Sequence, residues 1–318
     1  MQSAKLSNVV IIGGGVSGLA AALALHAINI PCTVYEVRAF PSTIGGAINL
    51  TPAALRCLNQ LGVLPHLEGK GCDVRAIELF SALSGRPIGE MSYRNVQKHQ
   101  YHALRIKRAD LMQGLLIALE ATAVKIEYGK KLVQVEETGG MVEATFEDGS
   151  VAQADMLLGC DGIHSITRMK LVDPERVPEY TGVSTAYGML QRSTVTSPIH
   201  FEECAVNTAR KGSLLTAFCD PDKKVLYFAA VMEVKEQMSR EGWKVKVADQ
   251  EATRKEILSR FGESQIPCLR EMIENVEDLF FYPVNTLPPR GKWSSQRVML
   301  LWDAAHAVCL HFSFPFVV

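Results

Sequence analysis

The chain has no surplus of either charge. Among its 318 residues, 33 Lys and Arg stand against 34 Asp and Glu, a net charge of −1. That leaves no electrostatic footprint for a phosphate backbone, so nucleic acid is not an expected partner. None of the eight cysteines (Cys32, Cys57, Cys72, Cys160, Cys204, Cys219, Cys268 and Cys309) lies in a C-x-x-C pair, which removes support for zinc ribbons and redox dithiols. They are also too sparse for a disulfide scaffold and read as buried, reduced thiols of a cytoplasmic protein. Internal repeats, low-complexity linkers and a G-x-S-x-G signature are all missing, so no nucleophilic side chain is expected. Long apolar runs are scarce as well. The one exception, residues 9–30, is interrupted by Gly13, Gly14, Gly15 and Gly18. It splits into a strand, a turn and a helix in preference to a membrane span.

What is present alternates between two styles. The run Asn8 to Ile12 is β-branched and short, the mark of a strand buried on both faces. A glycine turn follows, then an Ala- and Leu-rich helix over Val16 to Ala27, then a second strand from Cys32 ending at Glu36. Thr51 before Pro52 predicts a capped helix to Leu61, closed by Gly62. Residues 73–93 instead alternate polar and apolar around Ser84-Gly85-Arg86-Pro87, a hairpin signal. Further strands are expected over 125–135, 142–146, 151–158, 187–192, 213–219, 225–232 and 298–301, and helices over 108–121 and 250–261. The fold class is therefore α/β: a Rossmann-like nucleotide-binding domain interrupted by an antiparallel-sheet domain. The first takes residues 1–72, 100–175 and 290–318, and the second residues 73–99 and 176–289.

Gly13, Gly15 and Gly18 form G-x-G-x-x-G between the first strand and its helix. Gly13 permits the tight turn, Gly15 lets a pyrophosphate reach the backbone, and Gly18 allows close helix–strand packing. Glu36 ends the next strand, where a carboxylate accepts hydrogen bonds from a ribose and disfavours a 2′-phosphate. FAD and NAD both satisfy this arrangement.

Two later stretches separate them. Gly159-Cys160-Asp161-Gly162-Ile163-His164-Ser165, followed by Arg168, comes straight after one strand, and Asp303-Ala304-Ala305-His306 after another. With the glycine loop and Arg108-Ala109-Asp110-Leu111, these motifs resemble those of the class A flavoprotein aromatic monooxygenases. That family includes salicylate hydroxylase, para-hydroxybenzoate hydroxylase and fungal enzymes of secondary metabolism, and the resemblance runs from about residue 6 to about residue 307. It implies an FAD-dependent monooxygenase using NADH or NADPH and O₂ to hydroxylate a phenolic or polyketide-like aromatic molecule through a flavin C4a-hydroperoxide. It also implies roles by position. Gly13, Gly15 and Gly18 hold the pyrophosphate, Glu36 the ribose, and Arg38 lies near the adenine. Gly46 and Ala47 belong to a loop passing the flavin. Arg108 contacts phosphate or ribityl oxygens, Asp161 serves FAD and the reductant, and Asp303 holds the ribityl chain. Arg192 and Tyr227 are the candidate catalytic pair, while His164 and His306 read as structural.

The chain departs from that pattern at its end. Trp302 stands where the family carries glycine, which predicts a clash or a displaced loop. No glycine follows Gly291 and no charged residue follows Asp303. The expected glycine turn and flavin-facing helix are missing from the apolar tail, which suggests a shortened chain. A non-catalytic nucleotide-binding relative is therefore the second reading.

Overall fold

The computed structural model describes residues 6–41, 45–237, 242–243 and 247–307; the tail reading falls on 308–318, outside the described residues. Its first unit is built on β1 (Val9–Ile12), whose four side chains are all buried. Alternation along the strand divides them. Val9 and Ile11 pack with Leu19 and Leu23 of helix α1 (Val16–Ala27) and with Leu111 and Leu115 of a second helix, Arg108–Glu120. Val10 and Ile12 point the other way, against Val135, Val142 and Phe146. Those three belong to an antiparallel sheet of Leu132–Thr138, Met141–Phe146 and Val151–Ala154. A strand covered on both faces must be apolar throughout, and β1 is.

The central sheet is parallel throughout. Its order is Val298–Leu300, Met156–Gly159, β1, Cys32–Glu36 and Lys125–Tyr128. The single strand expected over 125–135 is in fact two strands in two sheets. Gly129, at φ +73°, turns the chain between them.

The second unit is a seven-stranded sheet ordered Phe280–Thr286, Glu179–Gln191, Val225–Glu233, Gly212–Phe218, Cys204–Ala209, Ala76–Ser81 and Pro87–Ser92. All pairings are antiparallel except that of Ala76–Ser81 with Cys204–Ala209. One face buries Phe228 and Met232 against Ile257 and Phe261 of helix Gln250–Phe261 and Met272 of helix Pro267–Asn275. The opposite face presents Tyr187 and Tyr227 towards Ala47. The predicted hairpin around Gly85 forms, and Thr51 caps helix Pro52–Gln60 by accepting the Ala54 N–H. Strand 187–192 begins much earlier than expected, at Glu179. The polar residues 179–184 lack an apolar run, and Gly182, at φ +81°, marks an irregularity in their pairing.

Candidate cofactor groove and active site

Three loops meet at the carboxyl ends of adjacent parallel strands. The Ile12 carbonyl accepts the Cys160 N–H at 2.8 Å, and the Gly159 carbonyl accepts that of Leu301 at 2.9 Å. The glycine turn, the Asp161 turn and the Trp302–Asp303 turn therefore stand side by side. In parallel α/β sheets, ligands bind in the crevice outside such strand ends. A groove of about 800 Å³ opens there, running from Glu36 and Arg38 past Gly15 to Trp302 and Asp303 and on to Thr185 of the large sheet.

The glycines do different work. A Cβ on Gly13 would lie 2.4 Å from the Cys160 carbonyl oxygen, and Gly13 adopts φ +106°. A Cβ on Gly18 would lie 1.9 Å from the Gly13 oxygen. Gly15 meets nothing within 4 Å and faces the groove. Behind it, α1 starts with no side-chain cap and no acidic residue in its first turn. The free N–H groups of an uncapped helix start therefore face open space. Across the turn, Glu36 accepts the Gly14 N–H at 2.6 Å and the Arg38 N–H at 2.9 Å, which fixes its carboxylate at the groove wall with lone pairs to spare.

The Asp161 turn is held more tightly than its sequence suggests. The Asp161 carboxylate accepts the Ser165 hydroxyl at 2.6 Å and both the N–H and hydroxyl of Thr167 at 3.0 Å, while still lining the groove. Arg168, fully buried, donates to the carbonyls of Ile163, Arg176 and Ala304. Arg176 donates to Pro288 and Ala305. These two arginines lace the Asp161 turn to the Asp303 turn. Burial pushes the neighbouring Cys160 thiol up to about 12, so it stays protonated and inert.

A second cavity of about 340 Å³ lies on the aromatic face of the large sheet, walled by Gly45, Gly46, Tyr187, Met189 and Phe280 and by the acidic residues Glu277 and Asp278. Tyr187 stacks on Phe280 and Tyr282 at centroid distances of 5.2 and 5.8 Å and tilts against Tyr227. Gly46 threads against this cluster, since a Cβ there would lie 2.4 Å from the Tyr227 ring. Arg108 separates the chambers. It lines the large groove, and a Cβ on Gly45 would meet its Cδ at 2.8 Å.

A model of the family described as FAD binding domain matches residues 7–310. The chain belongs to the FAD-binding domain family. It is similar to the 3-amino-4-hydroxybenzoate 2-monooxygenase of Streptomyces cremeus, at 34% identity over 60% of this chain and 48% of that enzyme. It is also similar to the FAD-dependent urate hydroxylase of Mycolicibacterium vanbaalenii, at 27% over 94% of this chain and 73% of the relative. Among solved structures, Klebsiella pneumoniae HpxO complexed with FAD and uric acid shares the fold at 22% identity and a TM-score of 0.80, covering 95% of this chain and 74% of that one.

The groove fits the family's cofactor on its own evidence. Gly15 leaves an open approach to an uncapped helix start, and the Glu36 carboxylate lines the groove on one side. Gly13, Gly15, Glu36, Arg38, Arg108, Asp161 and Asp303 line one surface. Gly18 packs behind it. Gly46 borders the second cavity, and Ala47 packs on the Tyr187–Tyr227 cluster. Tyr227 does not line that cavity; it packs behind Tyr187 and Gly46, its hydroxyl pushed up to about 12 by burial. Arg192 is not brought to either chamber: it follows strand Glu179–Gln191 and donates to the Val195 carbonyl at 2.6 Å. Trp302 is accommodated by a shifted backbone at φ +55°, and the residue is exposed and lines the groove.

Sequence reasoning missed Arg105. It is 4% exposed, lies over the Tyr227 ring at 4.7 Å, and its Nε is buried without a partner, as is Oδ1 of its cross-strand neighbour Asn49. An arginine inside the apolar strand Ala103–Lys107 was the available signal.

Asp303 carries a testable consequence. The residue is open to the groove, yet its carboxyl is partly desolvated, which raises its pKa; Arg108 and His306 oppose the rise. A carboxyl raised on folding favours the protein below its ordinary titration range and costs stability as pH climbs through the folded value. Asp303→Asn is expected to melt slightly higher than the parent at pH 7, with the difference vanishing below about pH 4. Melting curves without cofactor across that range check it; an equal gain at pH 3 would contradict it.

Proposed function

We propose that the chain is an FAD-dependent monooxygenase that uses NADH or NADPH and O₂ to hydroxylate a small aromatic molecule. The observation that carries this reading is the adjacency of the two chambers: a groove suited to a dinucleotide opens beside a cavity of about 340 Å³ walled in part by Tyr187 and Phe280, with Arg108 between them. That volume lies at the small end for ligand sites and suits a substituted single ring better than a polycycle.

The roles follow from placement. The Gly15 backbone and the start of α1 hold the pyrophosphate, Glu36 the adenosine ribose, and Asp303 and Arg108 the opposite half of the cofactor. Bound flavin supplies hydride acceptance and activation of O₂. Tyr187, Phe280 and Tyr282 offer faces for an aromatic substrate to stack on. The Tyr227 phenol, held protonated by burial, packs behind Tyr187, and Arg105 stacked on its ring fixes its position. Residues 73–99 and 176–289 form the substrate side and the remainder the cofactor side. Relatives act on 3-amino-4-hydroxybenzoate and urate, and single-ring phenols, aminophenols and hydroxylated heterocycles are the first compounds to try.

The test is substrate-dependent NAD(P)H consumption by flavin-loaded protein, with the hydroxylated product counted against reductant. Near-equal amounts support the proposal. Tight FAD binding with no turnover across such a panel would leave a nucleotide-binding protein without catalysis.

A further inference from the structure

Trp302 combines backbone strain with an uncovered aromatic side chain. Its φ of 55° and ψ of −131° lie in a region that side-chain-bearing residues avoid. Such a conformation is strained and persists only where the surroundings impose it. Here they do. The Leu301 N–H is tied to Gly159, and the Trp302 carbonyl accepts the N–H groups of Ala305 and His306. Burial of the indole does not offset the strain, because Trp302 is 59% exposed and forms part of the groove wall. A large aromatic surface facing a ligand groove is a surface that a ligand covers.

Sheet order identifies what reaches it. Trp302 follows strand Val298–Leu300 and Glu36 ends strand Cys32–Glu36, with β1 and Met156–Gly159 between them. Three strand spacings separate the two ends, about 14 Å. The glycine loop lies between. A dinucleotide with its pyrophosphate on that loop and a ribose at Glu36 must send its other half toward Trp302. In FAD that half ends in a flat, conjugated ring system.

We propose that Trp302 is a cofactor-contacting residue whose indole stacks on the flavin half of FAD and sets the affinity of the groove for it. The proposal rests on reading the groove as the FAD site. Offset stacking of aromatic faces is the interaction such a pair makes.

The experiment titrates FAD into flavin-stripped protein while tryptophan emission is followed, in the parent, Trp302→Phe, Trp302→Gly and Trp293→Phe. The expected result is that FAD quenches emission in the parent and in Trp293→Phe, and that most of the quench disappears in Trp302→Phe, which keeps a stacking face and binds within about threefold of the parent. Trp302→Gly is expected to melt higher, its strain relieved, and yet to bind FAD about tenfold more weakly. Trp302→Gly binding FAD as tightly as the parent, or more tightly, would show that the indole obstructs the groove and overturn the proposal. A quench that persists unchanged in Trp302→Phe would also overturn it. FAD failing to bind to both the parent and Trp302→Gly would instead overturn the reading of the groove.

Discussion

Replacing Arg168 with leucine is expected to lower stability by about 4 kcal/mol, because three carbonyls lose a charged donor inside the protein. For a chain of this size that corresponds to a fall in melting temperature of roughly 6 °C. The side chain is fully buried and its three acceptors lie in three segments, at Ile163, Arg176 and Ala304. Arg176 and Ala304 are buried and Ile163 is half-buried, so the carbonyls left without a donor carry a desolvation penalty. Arg168→Lys should recover only part of the loss, since an ammonium cannot present the planar fork that spans three directions. FAD affinity should drop along with stability, because the same side chain holds the Asp161 and Asp303 turns in register. Thermal melts of both variants decide the matter, and a leucine variant melting within a degree of the parent would refute the assignment.

The glycine loop yields a second large effect, with opposite signatures at two positions. Gly18→Ala places a methyl group 1.9 Å from the Gly13 carbonyl oxygen, and backbone cannot step aside as a flexible side chain can. Loss of about 3 kcal/mol or more is expected, with displacement of α1 from β1. Gly15→Ala meets nothing within 4 Å, and its φ of −78° suits alanine. Stability should change by no more than about 1 kcal/mol, the difference between two weak helix caps. Its methyl group nevertheless projects into the space assigned to the pyrophosphate, so FAD binding should fall by two orders of magnitude or more. Equilibrium dialysis with FAD, paired with melting curves, separates the two cases. Undiminished FAD binding by Gly15→Ala would remove the pyrophosphate from this loop.

The elements that carry the cofactor groove were legible because local pattern and tertiary demand coincide there. The four apolar residues of β1, the glycines, and Glu36 at a strand end each follow from a single short-range rule, and the groove gathers them as those rules imply. Legibility failed where long-range partners decide. Arg168 enters the sequence reading only as part of a motif and Arg176 not at all, and only the fold shows the carbonyls around them. Strand Phe280–Thr286 contains Pro283, which argues against a strand, but it lies at the edge of the large sheet, where a missing N–H is tolerated. Family resemblance alone points to Arg192 and Tyr227. Arg192 follows strand Glu179–Gln191 and lines neither chamber, while the alternation that puts Phe228 into the helix-covered core turns Tyr227 to the opposite face, against Tyr187.

The pairing of Ala76–Ser81 with Cys204–Ala209 and of Met156–Gly159 with Val298–Leu300 has a consequence for how the molecule assembles. The chain passes between the two large sheets four times, near residues 75, 95, 175 and 290. Neither sheet can be completed from a continuous stretch, and the parallel one waits for the last described strand. During synthesis, β1 meets its neighbour Cys32–Glu36 early, but its other side stays unpaired until Met156–Gly159 arrives. Folding should therefore be slow and concerted, dominated by distant pairings. A single cut cannot yield two folding halves, so cofactor side and substrate side stand or fall together as one cooperative unit.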